Sequence, residues 1–375
     1  MKISILQENL SKALNQVSKA VSNRPNIPVL ANVLIEAEQG KVKLSATNLD
    51  IGVTTLLGAD IAEEGKVTVS AKLLTEFVNS LQSGKLEMYE VKQLIEVKSV
   101  DNLAEFTVIP ASDFPSVPQA EGEAIIKVNA LEFAEAIRQT AIAAAADDSR
   151  PVLTGLLIEA TERKISLVGV DGFRLSKKSL KVELGPKEDF KEIIPARSLV
   201  ELEKIIRDLA EKEDFLEIYS LASKNQMIFK VSNTEFTTRM IEGEFPDYTQ
   251  ILPKAKNISF QVLKKELADT VKIVGIFARN VIGNKARFKF DPEKKTLELL
   301  ANVVDVGNNE SKVAVVKPEG DKLETAYNIK FMQDMLNVMG GDEIVYETEG
   351  ITSPGVFKDK EDPDFLHVIM PMRLD

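Results

Sequence analysis

Sliding this chain along itself by 123 residues lays two long segments on each other without a gap, and such a repeat constrains the fold more than any other feature. Ile3 falls on Ile126, Ile5 on Val128, Leu10 on Phe133, Ala13 on Ala136 and Leu14 on Ile137, followed by Pro28 on Pro151 and Leu30 on Leu153. The register holds through the next segment, where Ile35, Glu36 and Ala37 meet Ile158, Glu159 and Ala160, and Lys41, Val42 and Leu44 meet Lys164, Ile165 and Leu167. A third copy follows at a shift of 134, with Phe260, Val262, Leu267 and Val271 on Ile126, Val128, Phe133 and Ile137. A length of 375 residues allows two or three domains, and the repeat selects three, at 1–120, 121–254 and 255–375. Pro115 and Pro118, and then Pro246 and Pro253, suit connectors between copies better than a sheet interior.

Each copy reads as a strand, a helix, a hairpin, a strand, a second helix and closing strands, an α+β unit. Val33, Ile35 and Ala37 alternate with polar residues, Gln39-Gly40 turns the chain, and Val42, Leu44 and Ala46 return it. The equivalent turns lie near Glu162-Arg163 and Glu293-Lys294. Helical spacing appears in Leu10, Ala13, Leu14, Val17 and Val21, and again in Leu199, Leu202, Ile206 and Leu209. Similar units in a row form arcs or rings, because every junction repeats a related rotation.

Hydrophobic residues at 44% and charged residues at 28% describe a chain able to bury real cores. The N-terminus has no apolar core region and no small-residue cleavage site, and nothing resembles a membrane span, so a cytoplasmic protein is expected. The absence of cysteine excludes a disulfide scaffold, a thiolate nucleophile and any Cys-ligated metal. His367, the single histidine, lies in an alternating strand and reads as structural or surface-exposed. No phosphate-binding glycine motif occurs, and Gly340-Gly341 after Met335, Leu336 and Met339 reads as a helix stop. Asp147-Asp148 and Glu361-Asp362 match the chemistry of a Mg²⁺ site, which keeps a Mg²⁺-dependent hydrolase of phosphate esters as the competing reading; acidic loop pairs are also commonly just solvated. No catalytic residue, metal or cofactor is expected on the main reading.

A net charge of −11 argues against nucleic acid as a partner, unless the positive charge is concentrated. Residues seven apart share a helix face within about 20°. Lys265, Lys272 and Arg279 form such a series opposite Leu267, Val271 and Val274, as do Lys12 and Lys19, and Arg197 and Lys204. Taken alone these series describe solvated faces laced with ion pairs, and Glu201, Glu203 and Asp269 fit that description. If the helices of several copies line one concave surface, the same residues sum into a phosphate-facing strip.

Four runs carry a resemblance: Arg24-Pro25-Asn26-Ile27-Pro28-Val29-Leu30, Val170-Asp171-Gly172-Phe173-Arg174-Leu175, Glu244-Phe245-Pro246-Asp247-Tyr248, and Val368-Ile369-Met370-Pro371-Met372-Arg373-Leu374. In order within a threefold repeat, they resemble the beta sliding clamp family, the processivity subunits of bacterial DNA polymerase III, over the whole chain. The resemblance implies three tandem clamp domains per subunit, with antiparallel sheets outside and two helices per copy inside. It further implies a ring-shaped head-to-tail homodimer around double-stranded DNA, contacted without sequence preference, and a processivity role without catalysis. Arg24 and Arg150 match positions near the DNA path. The replicative polymerase, the clamp loader and repair proteins would dock short peptides in a hydrophobic cleft. Its implied lining is Leu153, Val170, Gly172, Phe173, Arg174 and Leu175, then Pro246, Ile251, Ile351 and Ser353, and finally Val368, Met370, Pro371, Met372 and Arg373. Val170 and Phe173 stand where threonine and histidine are common, which bears on peptide preference. The implied dimer contact joins Phe106 and Val108 to Ile276 and Phe277.

Overall fold

The computed structural model describes residues 1–22, 26–221, 224–253, 255–303 and 307–374. The first copy contains β1 (Lys2–Leu6), α1 (Gln7–Val17), β2 (Asn32–Glu38), β3 (Lys41–Thr47), β4 (Ile51–Gly58), β5 (Asp60–Glu63), β6 (Gly65–Ser70), α2 (Ala71–Ser80), β7 (Lys85–Val91), β8 (Leu94–Lys98) and β9 (Leu103–Ile109). The second contains β10 (Ile126–Asn129), α3 (Ala130–Ala141), β11 (Gly155–Ala160), β12 (Lys164–Val170), β13 (Arg174–Lys181), β14 (Phe190–Pro195), α4 (Ala196–Leu209), β15 (Phe215–Leu221), β16 (Gln226–Val231) and β17 (Thr234–Arg239). The third contains β18 (Ile258–Leu263), α5 (Lys264–Ala278), β19 (Lys285–Asp291), β20 (Thr296–Val303), β21 (Gly307–Ala314), β22 (Val316–Glu319), β23 (Leu323–Asn328), α6 (Ile329–Val338), β24 (Glu343–Thr348), β25 (Gly355–Asp359) and β26 (Phe365–Ile369).

The residues at the expected turns and faces behave as their chemistry requires. Gln39 and Gly40 both adopt positive φ, +50° and +76°, which matches the right-handed twist of β2 and β3 across a two-residue turn. Val33, Ile35, Ala37, Val42 and Leu44 are buried, as are Leu10, Ala13, Leu14 and Val17 of α1. Val21 departs from expectation. After Val17 the chain tightens into a 3₁₀ turn over Ser18–Ala20, so Ala20 takes the buried position and Val21 is only half-buried. The single strand expected between hairpin and second helix is instead three strands in the first and third copies and two in the second. Short β5 has no buried residue, so it lacks the alternation by which a strand is read.

The chain forms two compact units. One comprises Met1–Leu131, Glu183–Gly185 and Glu201–Met240; the other comprises Glu132–Val182, Pro186–Val200 and Ile241–Asp375. In the first unit thirteen strands run in the order β10-β15-β16-β17-β4-β3-β2-β6-β9-β8-β7-β1-β5. The second holds nine strands, β14-β11-β12-β13-β26-β25-β24-β18-β22, and four more, β21-β20-β19-β23. Copies therefore join edge to edge by one repeated move: the last strand of a copy pairs antiparallel with the third meander strand of the copy before it. β17 lies on β4, with Phe236 opposite Val53, and β26 lies on β13, with Val368 opposite Leu175.

The third copy buries an aromatic stack in which Phe260 lies 4.6 Å from Phe290 and 4.7 Å from Tyr346, ring centre to ring centre. Gly340 and Gly341 follow α6 as expected, with a physical reason that sequence did not supply: their amides donate to the buried Asp359 carboxylate at 3.0 and 2.7 Å. A Cβ on Gly341 would lie 2.2 Å from Asp359 Oδ1, so only glycine allows that approach.

His367 sits in the β13–β26 seam, fully buried, with Nδ1 2.6 Å from Ser176 Oγ. Burial, and secondarily the nearby Arg174 charge, depress its pKa from 6.5 to about 3. Between those values the unfolded chain binds the proton and the folded chain does not, so stability present above about pH 6.5 is lost as pH falls toward 3. The expected slope is up to about 1.4 kcal/mol per pH unit from this group. Replacing His367→Gln should remove that share of the slope in urea unfolding midpoints measured from pH 6.5 to 4; an unaltered slope would mean that the folded chain takes up the proton.

Candidate functional site

The candidate cleft grows from the end of the β13–β26 seam. Asp171 Oδ1 accepts the amides of Phe173 and Arg174, both at 2.9 Å, and Gly172 takes φ +89°, so the chain reverses between β12 and β13 in a tight turn. The reversal leaves Phe173 66% exposed at the tip while Val170 and Leu175 point inward and are buried. Across the seam the Met370 amide donates to the Phe173 carbonyl at 2.8 Å, extending the β26 pairing by one residue and presenting Met370, 37% exposed, beside Phe173.

Beneath this rim, Leu153, Val170, Leu175 and Val368 join Leu157, Val168, Ile193, Phe245, Tyr248 and Val356 in one apolar cluster, with Ile251 packed half-buried against it. The Glu244–Tyr248 run is anchored by its two aromatics. The Tyr248 hydroxyl donates to Glu159 at 2.6 Å and accepts from Lys177 Nζ at 2.9 Å, and the Lys177 ammonium lies 4.9 Å from the ring centre. Burial of Lys177 lowers its pKa, while burial together with Glu159 pushes the Tyr248 hydroxyl up, so the phenol keeps the proton that it donates to Glu159. Pro246 stays exposed between the two anchors.

Arg174 fixes the second side. Its Nε donates to Asp171 at 3.0 Å, its Nη1 to Asp334 of α6 at 2.6 Å, and its guanidinium lies 4.3 Å from the Phe331 ring centre. Phe331, Asp334, Phe245 and Tyr248 complete the surroundings of the cleft and were not among the residues expected there. Phe331 carries one signal in the sequence, since it falls off the buried stripe of Ile329, Met332, Met335 and Leu336 and so needs a different neighbour.

Other expected lining residues are not members of this buried cluster. Ile351 is 54% exposed, its carbonyl accepting from Thr325 Oγ1, and Ser353 is half-buried with its amide on the Gly350 carbonyl. Beyond half-buried Pro371, the tail crosses to the four-stranded sheet. The Met372 amide donates to Ala326 at 2.8 Å, its methyl lies 2.7 Å from where a Gly283 Cβ would stand, and the Arg373 carbonyl accepts from Lys285 Nζ.

Of the expected DNA-contacting residues, Arg24 lies outside the described residues. Lys12, Arg150, Arg197, Lys204, Lys265, Lys272 and Arg279 are exposed, and the α5 series faces away from buried Leu267, Val271 and Val274 as its spacing requires. Lys19, in the 3₁₀ turn, is half-buried and pairs with Asp208 of α4 at 2.5 Å; Lys204 pairs with Glu201 at 2.8 Å. Asp362, one of the acidic pairs, bonds Lys178 and Gln139, while Asp147 accepts from the Ser149 amide. Among the described residues no three His, Asp or Glu side chains group closely enough to hold a metal ion, and no helix is long and apolar enough to cross a membrane. At the expected dimer contact, Phe106 and Val108 are half-buried, Phe106 meeting Phe77 edge to face at 5.6 Å, while Ile276 is 50% exposed and Phe277 half-buried.

Comparison with known proteins covers the chain end to end. Family models of the DNA polymerase III beta subunit match its N-terminal domain to residues 1–118, its central domain to 127–247 and its C-terminal domain to 249–373. Relatives named beta sliding clamp include those of Synechococcus elongatus, 28% identical over 378 residues, and Bacillus subtilis, 26% over 383, each covering 100% of both chains. Solved structures include the DNA polymerase sliding clamp from Bacillus subtilis, with TM-score 0.93 and 25% identity. Another is the DnaN sliding clamp from Pseudomonas aeruginosa bound to griselimycin, with TM-score 0.93 and 26% identity. Both cover 100% of each chain.

The Arg174 arrangement predicts a sizeable stability loss from a change that keeps the charge. Arg174→Lys forfeits the planar fork and the stacking on Phe331 and leaves one of two half-buried carboxylates without its cation, an expected loss of about 1–3 kcal/mol. Urea unfolding would measure it; a loss below about 0.5 kcal/mol would mean the site does not depend on the fork.

Proposed function

The chain belongs to the DNA polymerase III beta subunit family, and from that premise we propose how its residues carry out the family's work. It is a DNA sliding clamp, a non-catalytic processivity factor. In our reading two copies close head to tail around duplex DNA in the cytoplasm, and the apolar cluster at the β13–β26 seam receives short peptides of the replicative polymerase, the clamp loader and repair proteins.

The observation that carries the ring is the seam itself. Among the described residues, β21 pairs only with β20, and β9 pairs along its length with β8 but through only Val108 and Ile109 with β6. These are the equivalents of β4 and β13 on one side and of β17 and β26 on the other, the strands that join copies within the chain. A second chain supplies the missing partners, with Phe106 and Val108 meeting Ile276 and Phe277. Open edges of this length are otherwise a hazard for uncontrolled association. The positive residues Lys12, Arg24, Arg150, Arg197, Lys265 and Arg279, among others, would then contact phosphates without reading bases, which allows sliding.

Retention tests the ring. Loaded protein should stay on nicked circular DNA and leave linear DNA through free ends, and equal loss from both would sink the topological reading. For the cleft, a chain ending at Ile369 keeps all of β26 yet loses Met370, the apolar neighbour of exposed Phe173. It should stay folded and dimeric while a peptide carrying glutamine and paired Leu/Phe anchors binds at least about 30-fold more weakly. Unchanged peptide affinity in that truncated dimer would move the docking site elsewhere.

A further inference from the structure

Helices α3 and α5 occupy the same place in the repeat. The 134-residue shift puts the first residue of α3, Ala130, on the first of α5, Lys264, and buried Phe133, Ile137 and Thr140 on buried Leu267, Val271 and Val274. The two helices differ in what covers their other face. In α3, Arg138 donates through Nη1 and Nη2 to the carbonyls of Asn337 and Val338, 2.9 and 2.7 Å away, at the C-terminal end of α6. Gln139 is 2% exposed and donates to Asp362, and Ile142 packs against the apolar core of the third copy. The equivalents in α5 are Lys272, Ile273 and Ile276, and all three are exposed, the isoleucines by 46% and 50%.

The opposite side of the seam has an uncovered counterpart too. Helices α2 and α6 are both ten residues long, both are N-capped by their own side chain, Ser70 or Asn328, and both leave through an extended residue, Leu81 or Met339. A shift of 258 carries one onto the other and β7 onto β24, placing Asn79 and Ser80 on Asn337 and Val338. It also places Leu73, 56% exposed, on Phe331, which in the second unit lies under Arg174.

We propose that Lys272 caps the C-terminal end of α2 in a second copy of this chain, its ammonium donating to the carbonyls of Asn79 and Ser80 as Arg138 does to α6. Asp269 stands three residues before it, where Glu135 holds Arg138 at 2.5 Å, and so steers the cation toward the seam. The last carbonyls of a helix lack intrahelical partners and carry partial negative charge, which favours a cation there. The assignment rests on the head-to-tail dimer proposed above and removes Lys272 from the residues that face phosphate.

Self-association of the full chain by sedimentation equilibrium tests it. Lys272→Ala should weaken each seam about threefold, hence the dimer about tenfold because dissociation opens two seams. Lys272→Glu should weaken it further, and Lys272→Arg should restore wild-type association. Binding of a short linear duplex across a salt series gives an independent readout: Lys272→Ala should leave the slope unchanged, whereas a phosphate contact would lower it by about one. Wild-type association in Lys272→Ala, or a slope lowered by that amount, would overturn the cap while leaving the dimer standing. A wild-type chain that remains monomeric, or an Ile276→Asp chain that remains dimeric, would instead overturn the dimer contact on which the cap rests.

Discussion

Strand pairing between copies is the constraint on which the rest of this molecule depends. An antiparallel sheet cannot leave its edge amides and carbonyls unpaired without inviting other strands, so a repeated sheet unit needs a defined partner at each edge. Here β17 on β4 and β26 on β13 provide it, and each pairing also brings the helices of one copy toward those of the next. Lys19, in the 3₁₀ turn after α1, reaches Asp208 of α4, and Arg138 of α3 reaches the end of α6. The helix contacts follow from the strand contacts, because neither cation has enough reach unless the sheets have already set the spacing.

The two seams share a backbone arrangement and differ in side chains, and this difference is what supports the proposed docking site at β13–β26. At β4–β17 the face equivalent to that of Leu175 and Val368 buries a hydroxylic layer, Thr54 and Thr237, each 3% exposed, while the opposite face buries Thr55, Thr234 and Thr238 beside Val53 and Phe236, with Thr55 and Thr234 bonded at 2.8 Å and Thr234 donating to Gln16. Such a layer satisfies its own polar groups and offers little to an apolar ligand. At β13–β26 the corresponding layer is Val170, Leu175, Val356 and Val368, and it continues to the surface at Phe173 and Met370. An apolar layer that reaches solvent retains unspent burial, which is the usual basis of peptide recognition in a groove.

Much of this was legible from the sequence, for identifiable reasons. Offsets of 123 and 134 residues expose the repeat because buried positions must keep both their spacing and their apolar character. The hairpin at Gln39-Gly40 was legible because few residue pairs tolerate positive φ twice. Val21 was misplaced because a 3₁₀ turn changes the period from 3.6 to three within one turn, and β5 was missed because exposed strands do not alternate. The cleft was a different matter. Val368 to Met372 reads as any apolar edge strand, and only the family resemblance marked it. The contact among Arg174, Asp334 and Phe331 joins residues some 160 positions apart in different copies, a pairing that no local pattern encodes.

Charge on the helices shows where periodicity stops and internal symmetry takes over. Lys265, Lys272 and, at its C-terminal end, Arg279 share one face of α5 by spacing alone, and in a single chain all three are exposed. Solvent exposure in one subunit therefore cannot separate a residue that meets phosphate from one that meets another protein. The repeat can, because each position has counterparts whose surroundings are already complete. Arg138 shows what a cation at the Lys272 position does once the neighbouring copy is present: it ends a helix and contacts backbone carbonyls. No counterpart of Lys265 plays such a part, since the same shift puts it on Leu131, which has no cation to offer. On the proposed cap, a stripe that looks uniform along the helix divides by position, with the seam taking Lys272 and leaving Lys265 and Arg279 for the proposed contact with the DNA backbone.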